Sequence, residues 1–254
     1  MALHSKKLYY RRSGVTYPID LGTTTADVGP DYISLRDGST TVYAKLGDIT
    51  DGSASYLRLR KAGVTKAILS KLMGWQWAVQ AGGSSTDIGN SIAVDSSGNC
   101  YVTGYFNGTA SFGATNLTSS GSDDIFVAKL NTSGAWQWAV QAGGVSADQG
   151  NSIAVDSSGN CYVTGYFSGT VSFGATNLTS SGGIDIFVAK LNTSGAWQWA
   201  VQAGGALTDT GNSIAVDSSG NCYITGRFSG TVSFGATNLT SSGGIDIFVA
   251  KYGV

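Results

Sequence analysis

Aspartate is the residue type with which this chain could do chemistry, because all sixteen acidic residues are Asp and the one histidine is His4. Asp123 and Asp124 form the one adjacent pair of carboxylates. Glycoside hydrolysis needs two carboxyl groups roughly 5–10 Å apart across the sugar, whereas neighbouring residues at the start of a strand point to opposite faces. A histidine without a second one completes neither a catalytic triad nor a zinc site. The sequence therefore predicts a protein that is not an enzyme, with no catalytic residue and no cofactor.

Two further sets of aspartates recur at equivalent places in loops that are rich in oxygen ligands. One set opens Ser-Ser-Gly-Asn turns and the other stands shortly before a Gly-Asn pair; the residues are Asp95, Asp156 and Asp217, and Asp87, Asp148 and Asp209. A dedicated calcium site needs about six to eight oxygens in close spacing, and the chain has no EF-hand or nonapeptide pattern. Asp side chains commonly bond the amides of their own turns. We expect that role and no metal site, and leave calcium binding to these loops open.

The motif Trp-Gln-Trp occurs three times, first at Trp75 and Trp77. Residues two apart on a strand share a face, so the two rings of each motif point the same way. Exposed rings could stack on sugars, which would make surface glycans a candidate partner. We favour burial of the rings between structural units.

A long internal repeat must position all of these motifs. The segment that begins at Trp75 recurs at Trp136 and Trp197, with a constant period of 61 residues. Only six of the 55 aligned positions differ between residues 136–190 and 197–251. The differing pairs are Val145/Ala206, Ser146/Leu207, Ala147/Thr208, Gln149/Thr210, Val163/Ile224 and Tyr166/Arg227. One substrate needs one set of catalytic groups, so threefold repetition of the polar residues favours a structural role.

Each repeat contains four segments in which apolar and polar residues alternate, as they do in strands. In the second copy the segments are 152–156, 161–165, 185–191 and 197–201. Ser-Ser-Gly-Asn and Asn-Thr-Ser-Gly join them in pairs as tight hairpins in which Gly adopts a positive φ, and a minor strand pair is possible in 168–183. Such a unit has two partly apolar faces and must stack on its copies. The predicted fold is all-β, with three tandem four-stranded propeller-type blades.

The run Asp148-Gln-Gly-Asn-Ser-Ile-Ala-Val-Asp-Ser-Ser-Gly-Asn-Cys-Tyr-Val-Thr-Gly165, followed by Asp185-Ile-Phe-Val-Ala-Lys190, resembles the bacterial SBBP-type β-propeller repeat. The resemblance covers residues 74–254, which divide into repeats 74–134, 135–195 and 196–254. It implies propeller blades, usually on secreted or surface proteins, without a common enzymatic activity. The chain departs from the family in having Cys100, Cys161 and Cys222 where an aliphatic residue is usual. Three blades are also fewer than any ordinary closed propeller contains.

Residues 1–73 are predicted to form a separate β-rich module of three hairpins. Leu8–Thr16 aligns with Leu57–Thr65, and a third such unit lies between them. Each unit alternates polar and apolar residues around a Ser-Gly, Asp-Gly or Ala-Gly turn, so a compact six-stranded sheet or sandwich is expected. When the period of 61 residues is applied backwards from Ile125–Leu130, it reaches Val64–Leu69. The last strand of the module is therefore predicted to run into the first blade without a linker.

The charge distribution and the N-terminal sequence narrow down partners and location. The net charge of −1 argues against nucleic acid as the main partner. Residues 1–73 hold eleven Lys/Arg and six Asp, a balance of +5, whereas residues 74–254 hold four and ten, a balance of −6. Opposite charges favour head-to-tail attraction between molecules. Without an apolar run of membrane-spanning length or a signal peptide, we expect an extracellular or surface protein exported by another route, or else a cytoplasmic or virion protein.

The favoured functional hypothesis is a non-catalytic structural protein that assembles with itself into an extracellular fibre, tube or appendage. Its C-terminal strand lacks a following Trp-Gln-Trp strand, and an open stack of blades would expose unpaired edges and apolar faces at both ends. The candidate assembly residues are Asp246, Ile247, Phe248, Val249, Val64 and Leu69. A contact that closes would give a ring, such as two chains with six blades, and one that does not close would give a filament, which we favour.

The second hypothesis is a lectin-like or receptor-binding propeller on a cell surface or a phage-like tail. It rests on the loops that vary between copies, because binding residues concentrate in loops. The candidate ligand-binding residues are Asp87, Ser146, Asp148, Gln149, Leu207 and Asp209.

The strand pattern also predicts which side chains are buried. These are Ile92, Val94, Tyr101, Phe126, Val127, Trp75 and Trp77, together with their copies. Cys100, Cys161 and Cys222 are expected to be small buried hydrophobes.

Overall fold

The computed structural model describes six strands within residues 8–68 and all residues from 75 to 253. Regular structure in these ranges is entirely β, which confirms the predicted fold class. No helix there is long and apolar enough to cross a membrane. The chain divides into two compact units, Met1–Gln76 and Trp77–Val254.

The first unit contains three antiparallel hairpins. Its strands are β1 (Leu8–Arg12), β2 (Val15–Ile19), β3 (Tyr32–Asp37), β4 (Thr40–Leu46), β5 (Leu57–Lys61) and β6 (Val64–Ile68). They form a two-stranded sheet, β1-β2, and a four-stranded sheet, β3-β4-β5-β6. The hairpins therefore do not join in the single six-stranded sheet that was one of the two arrangements expected from the sequence.

The second unit consists of three successive groups of antiparallel strands. The first group is β7 (Gly82–Gly83), β8 (Asp87–Val94), β9 (Cys100–Phe106), β10 (Thr109–Phe112), β11 (Thr115–Thr118), β12 (Asp124–Leu130) and β13 (Trp136–Ala142). The second group is β14 (Gln149–Val155), β15 (Cys161–Phe173), β16 (Thr176–Leu191) and β17 (Trp197–Gly205). The third group is β18 (Thr210–Val216), β19 (Cys222–Phe234) and β20 (Thr237–Tyr252).

Blades 1 and 2 are four-stranded meanders, β8-β9-β12-β13 and β14-β15-β16-β17. The minor strand pair that the sequence left open between the two main hairpins is present, since Thr170–Phe173 of β15 pairs with Thr176–Thr179 of β16. Blade 3 contains β18, β19 and β20, and β20 pairs with no strand other than β19 among the described residues. The third blade therefore has an unpaired strand edge where blades 1 and 2 have a fourth strand.

Local chemistry accounts for the hairpins. Gly159 closes its turn with a φ of 81°, a backbone conformation that glycine adopts without steric cost. Asp156 Oδ1 accepts bonds from the amides of Ser158 and Asn160, each at 2.9 Å. Its Oδ2 accepts from Asn160 Nδ2 at 2.8 Å and from the Tyr162 hydroxyl at 3.2 Å. The predicted turn role of this aspartate is thereby confirmed, and Asp95 and Asp217 make the same bonds.

Each blade has two faces. We call the face that meets the preceding blade its leading face, and the face that meets the next blade its trailing face.

The hydrophobic core lies between blades as well as within them. The cluster between blades 1 and 2 joins Tyr101, Ile125 and Val127 to Ile153 and Phe187. The cluster between blades 2 and 3 repeats this arrangement with Tyr162, Ile186, Val188, Ile214 and Phe248. Each cluster therefore needs two blades.

The burial prediction is correct for the inner faces and wrong at the two ends of the stack. Tyr101, Phe126 and Val127 are buried as predicted. The exposed members of the predicted set and their copies are Trp75, Trp77, Ile92, Val94, Tyr223 and Val249. The reason is geometric, because a neighbouring blade covers each inner face, whereas no further blade among the described residues 75–253 lies against these outer ones.

Candidate assembly surfaces

Hydrogen bonds that repeat from blade to blade define the junctions. Asn90 Nδ2 donates to the carbonyl of Gly150 at 2.9 Å, and Asn151 Nδ2 donates to the carbonyl of Gly211 at 2.8 Å. The amide of Ile153 donates to Ser91 Oγ at 3.3 Å, and Ile214 and Ser152 repeat that bond at 3.2 Å. The corresponding residues of blade 3, Asn212 and Ser213, are exposed. The Asn and Ser side chains that bond across the two inner junctions therefore occur a third time, on blade 3, where no further blade of the described chain follows.

The leading face of blade 1 is an open apolar surface. We define the open leading face as Ile88, Ile92 and Val94; Ile92 is 58% exposed, whereas its copy Ile153 is 5% exposed. A cavity of about 350 Å³ lies on this face, with Val79, Ile88, Ile92, Val102, Phe126 and Trp136 in its lining. Contiguous apolar surface of this kind on a soluble protein commonly marks an interaction site.

The trailing face of blade 3 is open in the same way. We define the open trailing face as Tyr223, Ile247 and Val249, of which the last two are 83% and 76% exposed. The equivalent residues of blades 1 and 2 have at most 7% of their surface exposed; they are Tyr101, Ile125 and Val127, and Tyr162, Ile186 and Val188. The two open faces thus carry the halves of a junction that the chain builds twice internally.

The predicted assembly residues occupy different positions on this end. Ile247 and Val249 lie on the open trailing face, whereas Phe248 is buried inside blade 3 and packs on Phe234 with ring centroids 4.9 Å apart. Asp246 Oδ2 accepts a bond from the amide of Ser242 at 2.7 Å. Val64 lies in β6, and its side chain and the whole of Leu69 fall outside the described residues.

The predicted ligand-binding aspartates are largely structural in their contacts. Asp148 is fully buried; its Oδ2 accepts from the Gly144 amide at 2.8 Å and its Oδ1 from the Ser168 amide at 3.1 Å. Burial, with a smaller contribution from the charge of Asp124, raises the pKa of this carboxyl to about 7, against the lowering effect of the two amides. Asp209 is buried in the same way, and Asp87 binds the Gly83 amide at 2.7 Å.

The two adjacent carboxylates of the sequence, Asp123 and Asp124, have different surroundings. Asp124 is fully buried, and burial raises its pKa. Asp123 accepts instead from Gln149 Nε2 at 3.1 Å. No cluster of three or more potential metal ligands occurs within the described ranges.

The variable loop of the third repeat borders a groove that sequence analysis did not find. A cavity of about 440 Å³ is lined by Ala206, Leu207, Thr208, Arg227, Ser229 and Ile245, together with Gly183. Four of these residues are among the six positions that differ between the second and third repeats. Leu207 is exposed there, whereas Ser146, its copy in the second repeat, is half-buried. The sequence shows that the second and third repeats differ at these positions, but only the folded structure shows that four of the positions line one groove.

The cysteines are buried as predicted and unpaired. Cys161 and Cys222 are completely inaccessible, and Cys100 is 8% exposed. Burial raises the pKa of Cys161 to about 12 and that of Cys222 to about 11. They are therefore protonated core residues and not reactive thiolates.

Strand order, turns and stacking define the second unit as a β-propeller-type repeat protein. Three segments match the beta-propeller repeat family known as SBBP, at residues 76–112, 137–166 and 198–227. The repeat region of this chain therefore belongs to that family, as its sequence indicated.

Two curated proteins are similar over shorter parts of their own length. An uncharacterized WD repeat-containing protein of Acanthamoeba polyphaga mimivirus is 30% identical over 223 residues, which cover 69% of this chain and 15% of that protein. The regulatory protein FlaEY of Caulobacter vibrioides is 30% identical over 136 residues, which cover 52% of this chain and 14% of that protein. The chain thus spans about one seventh of each relative.

Proposed function

We propose that this protein is a non-catalytic structural subunit that assembles with copies of itself by stacking blades, as part of an extracellular fibre, tube or appendage. The observation that carries the proposal is the contrast between Ile92 and Ile247, which are exposed, and their buried copies in the inner junctions. Covering each open face with its complement on a second copy would remove both apolar surfaces from water. Burial of apolar surface is favourable by about 25 cal/mol per Å².

The bonding groups of the junction support the same arrangement. Asn212 and Ser213 of one molecule match Asn90 and Ser91, whose side chains bind the next blade within the chain. Their partners would be the carbonyl of Gly89 and the amide of Ile92 in a second copy. The contact is heterologous, because it joins two different surfaces, so it closes as a ring or continues as a filament.

A matched pair of glycine substitutions tests the stacking. A Cβ on Gly150 would collide with Thr103 Oγ1 across the first junction and lie 3.2 Å from the Gly104 carbonyl oxygen. The equivalent Gly89 faces the open end, where a Cβ would meet Val102 Cγ1 at 3.7 Å, an ordinary van der Waals contact. Gly89→Ala should therefore fold normally but clash with a second copy, whereas Gly150→Ala should destabilise the single chain.

Sedimentation over a range of concentrations measures the effect of both variants. Because overpacking costs about 1–3 kcal/mol, we expect Gly89→Ala to weaken association by roughly tenfold or more at an unchanged thermal midpoint of the dilute protein. Val145→Asp is the control for surface disturbance, since Val145 is exposed in the loop between β13 and β14 and belongs to neither open face. A wild-type chain that stays monomeric at high concentration, or association unaffected by Gly89→Ala, would refute blade stacking.

The groove at Leu207 favours a second candidate function, binding of an external ligand such as a surface glycan or a receptor. Its lining combines an apolar side chain, Leu207, with a cation, Arg227, and neither occurs at the equivalent positions of the second repeat. Replacing both with the residues of that repeat, in Leu207→Ser and Arg227→Tyr, should abolish capture on a glycan or receptor array. An array signal that survives the double substitution would remove the groove as its origin.

A further inference from the structure

Residues Trp77–Ala81 already lie where the fourth strand of a blade preceding blade 1 would lie. Trp77 Nε1 donates to the Thr132 carbonyl at 3.2 Å, as Trp138 Nε1 does to the Thr193 carbonyl of the next blade at 3.3 Å. The carbonyl of Gln80 accepts from Trp136 Nε1 at 3.3 Å, and Gln141 and Trp197 repeat that bond at 3.1 Å. The segment is therefore docked on blade 1 as β13 is docked on blade 2.

The chain after this segment follows the same route as the inner fourth strands. Gly82 and Gly83 pair with Ser111 and Ala110 of the minor hairpin in blade 1. At the next two junctions, Gly143 pairs with Ser172, and Gly204 and Gly205 pair with Ser233 and Val232. The equivalence of the segment to β13 and β17 thus extends to the crossover that follows it.

Within the described residues, one edge of the segment lacks the strand partner that its equivalents have. β13 pairs with β12, and β17 pairs with β16, whose sequence is Asp-Ile-Phe-Val-Ala-Lys in both cases. Residues 77–81 belong to no strand ladder in the described part of the chain. Ala78 is exposed in consequence, whereas its copies Ala139 and Ala200 are buried.

The missing partner sequence stands at the other end of the stack. β20 carries Asp-Ile-Phe-Val-Ala-Lys at Asp246–Lys251, and its free edge is the one that β12 and β16 use for their fourth strands. Asp124 and Asp185 are the copies of Asp246. They are covered by Gly143, which directly follows β13, and by Gly204 of β17, at distances that leave no room for a Cβ on either glycine. In the described chain no such glycine covers Asp246; the equivalent one is Gly82.

We propose that residues 77–81 of one molecule add to the free edge of β20 in a second copy, as the antiparallel fourth strand of its third blade. The register follows from the pairing of β16 with β17, shifted by the repeat: Ile247 with Ala81, Phe248 with Gln80, Val249 with Val79, Ala250 with Ala78 and Lys251 with Trp77. The proposal rests on the proposed function, and it adds that backbone pairing in a defined register, and not face contact alone, joins the copies. Extended segments that complete an open sheet edge are a recognised mode of protein association.

Disulfide trapping between two single variants tests this register. Val79→Cys and Val249→Cys are mixed in equal amounts and oxidised gently, so that a new bond between the two positions can form only between molecules. Directly paired strand residues lie about 4.5–5.5 Å apart, within the Cα separation that a disulfide spans. We expect a dimer on a non-reducing gel, with a tryptic peptide that joins the two new cysteines.

Two further mixtures serve as controls. Val79→Cys with Thr240→Cys places the second thiol on an exposed position of β20 outside the proposed pairing, and should give no cross-link. Ala78→Cys with Ala250→Cys replaces smaller side chains in the same register and should reproduce the dimer, in case the valine variants associate poorly.

Sedimentation of the same mixtures under reducing conditions separates the possible failures. Association without a cross-link at either in-register pair overturns the strand addition and leaves blade stacking in place. A cross-link at Thr240 as strong as that at Val249 overturns the register and with it the proposal. Monomers in every mixture overturn both the strand addition and the proposed function.

Discussion

Four buried aspartates have carboxyl groups whose pKa is raised above the ordinary value. Asp124 and Asp148 lie in the region of the first junction, and Asp185 and Asp209 are their equivalents at the second. Burial is the largest cause of the raised pKa of each one, partly offset by backbone amides that donate to the carboxylate. A buried charge is costly unless it is well paired. Ionisation of these carboxyl groups should therefore destabilise the packed blades, which makes the free energy of unfolding depend on pH.

Stability should decrease with rising pH because of Asp148. Its pKa in the folded chain is about 7, above the ordinary value of 3.8, so between these two values the folded state binds more protons than the unfolded state. The free energy of unfolding then falls as pH rises from about 4 to about 7 and flattens above that, by an amount on the order of a few kcal/mol. Urea unfolding at pH 5, 6, 7 and 8 measures the slope.

Asp148→Asn should make that slope shallower without removing it, because Asp124, Asp185 and Asp209 contribute in the same direction. Asp156→Asn is the control, since hydrogen bonds lower the pKa of Asp156 despite the opposing effect of burial. An Asp148→Asn chain with the wild-type slope would show that this carboxyl does not govern the pH dependence.

The cysteines should differ in accessibility according to blade. Cys161 and Cys222 belong to the two inner core clusters, whereas Cys100 lies in the first blade, outside these clusters. We expect no rapid reaction of the native protein with a thiol reagent at pH 8, a slow first label at Cys100, and three labels in urea. Mass spectrometry of labelled peptides gives the order, and immediate labelling of all three would contradict their burial.

At the scale of elements, the aspartate turns hold the hairpins of each blade. Asp156 satisfies two amides, one side-chain amide and the hydroxyl of Tyr162, which is almost completely buried. Asp217 makes the same bonds in blade 3, but its Tyr223 lies on the open trailing face. The same turn is therefore set in two environments.

Asp156→Ala should cost about 1–3 kcal/mol of unfolding free energy, because it leaves a buried hydroxyl and turn amides without their acceptor. Asp217→Ala should cost less, since water can reach the Tyr223 hydroxyl. Chemical denaturation of the two variants under identical conditions gives the comparison. Equal losses would mean that the amide bonds of the turn, and not burial of the tyrosine, dominate.

At the scale of the whole molecule, a stack of similar units gains stability from each interface between neighbours. The three blades share two such interfaces within the chain, and association would add another. Ligands that bind the folded state stabilise it by mass action, and a second copy acts in the same way. The proposed function therefore predicts a thermal midpoint that depends on protein concentration.

We expect that midpoint to rise with concentration in the wild type and to change less in Gly89→Ala. Each tenfold rise in protein concentration above the dissociation constant stabilises the associated state by about 1.4 kcal/mol. A change of 1 kcal/mol shifts the thermal midpoint of a unit this size by roughly 2–4 °C. Scanning calorimetry from micromolar to hundreds of micromolar protein covers the relevant range. A midpoint that is independent of concentration in the wild type would argue against association.

The sequence by itself determined the elements, because their causes are local. Alternation of side chains sets the strands, Gly159 permits its turn, and Asp156 bonds the amides within four residues of itself. The period of 61 residues carries these causes through all three copies, so blade structure and family followed without coordinates.

Only the tertiary structure decided which copies of a residue are exposed. Ile92 and Ile153 stand in the same Ser-Ile-Ala-Val-Asp segment, yet one is 58% exposed and the other 5%. Their local sequences cannot differ in preference, so the difference arises from whether another blade lies against them. Burial at these positions depends on neighbours 61 residues away, and no local pattern encodes which end of a stack remains open.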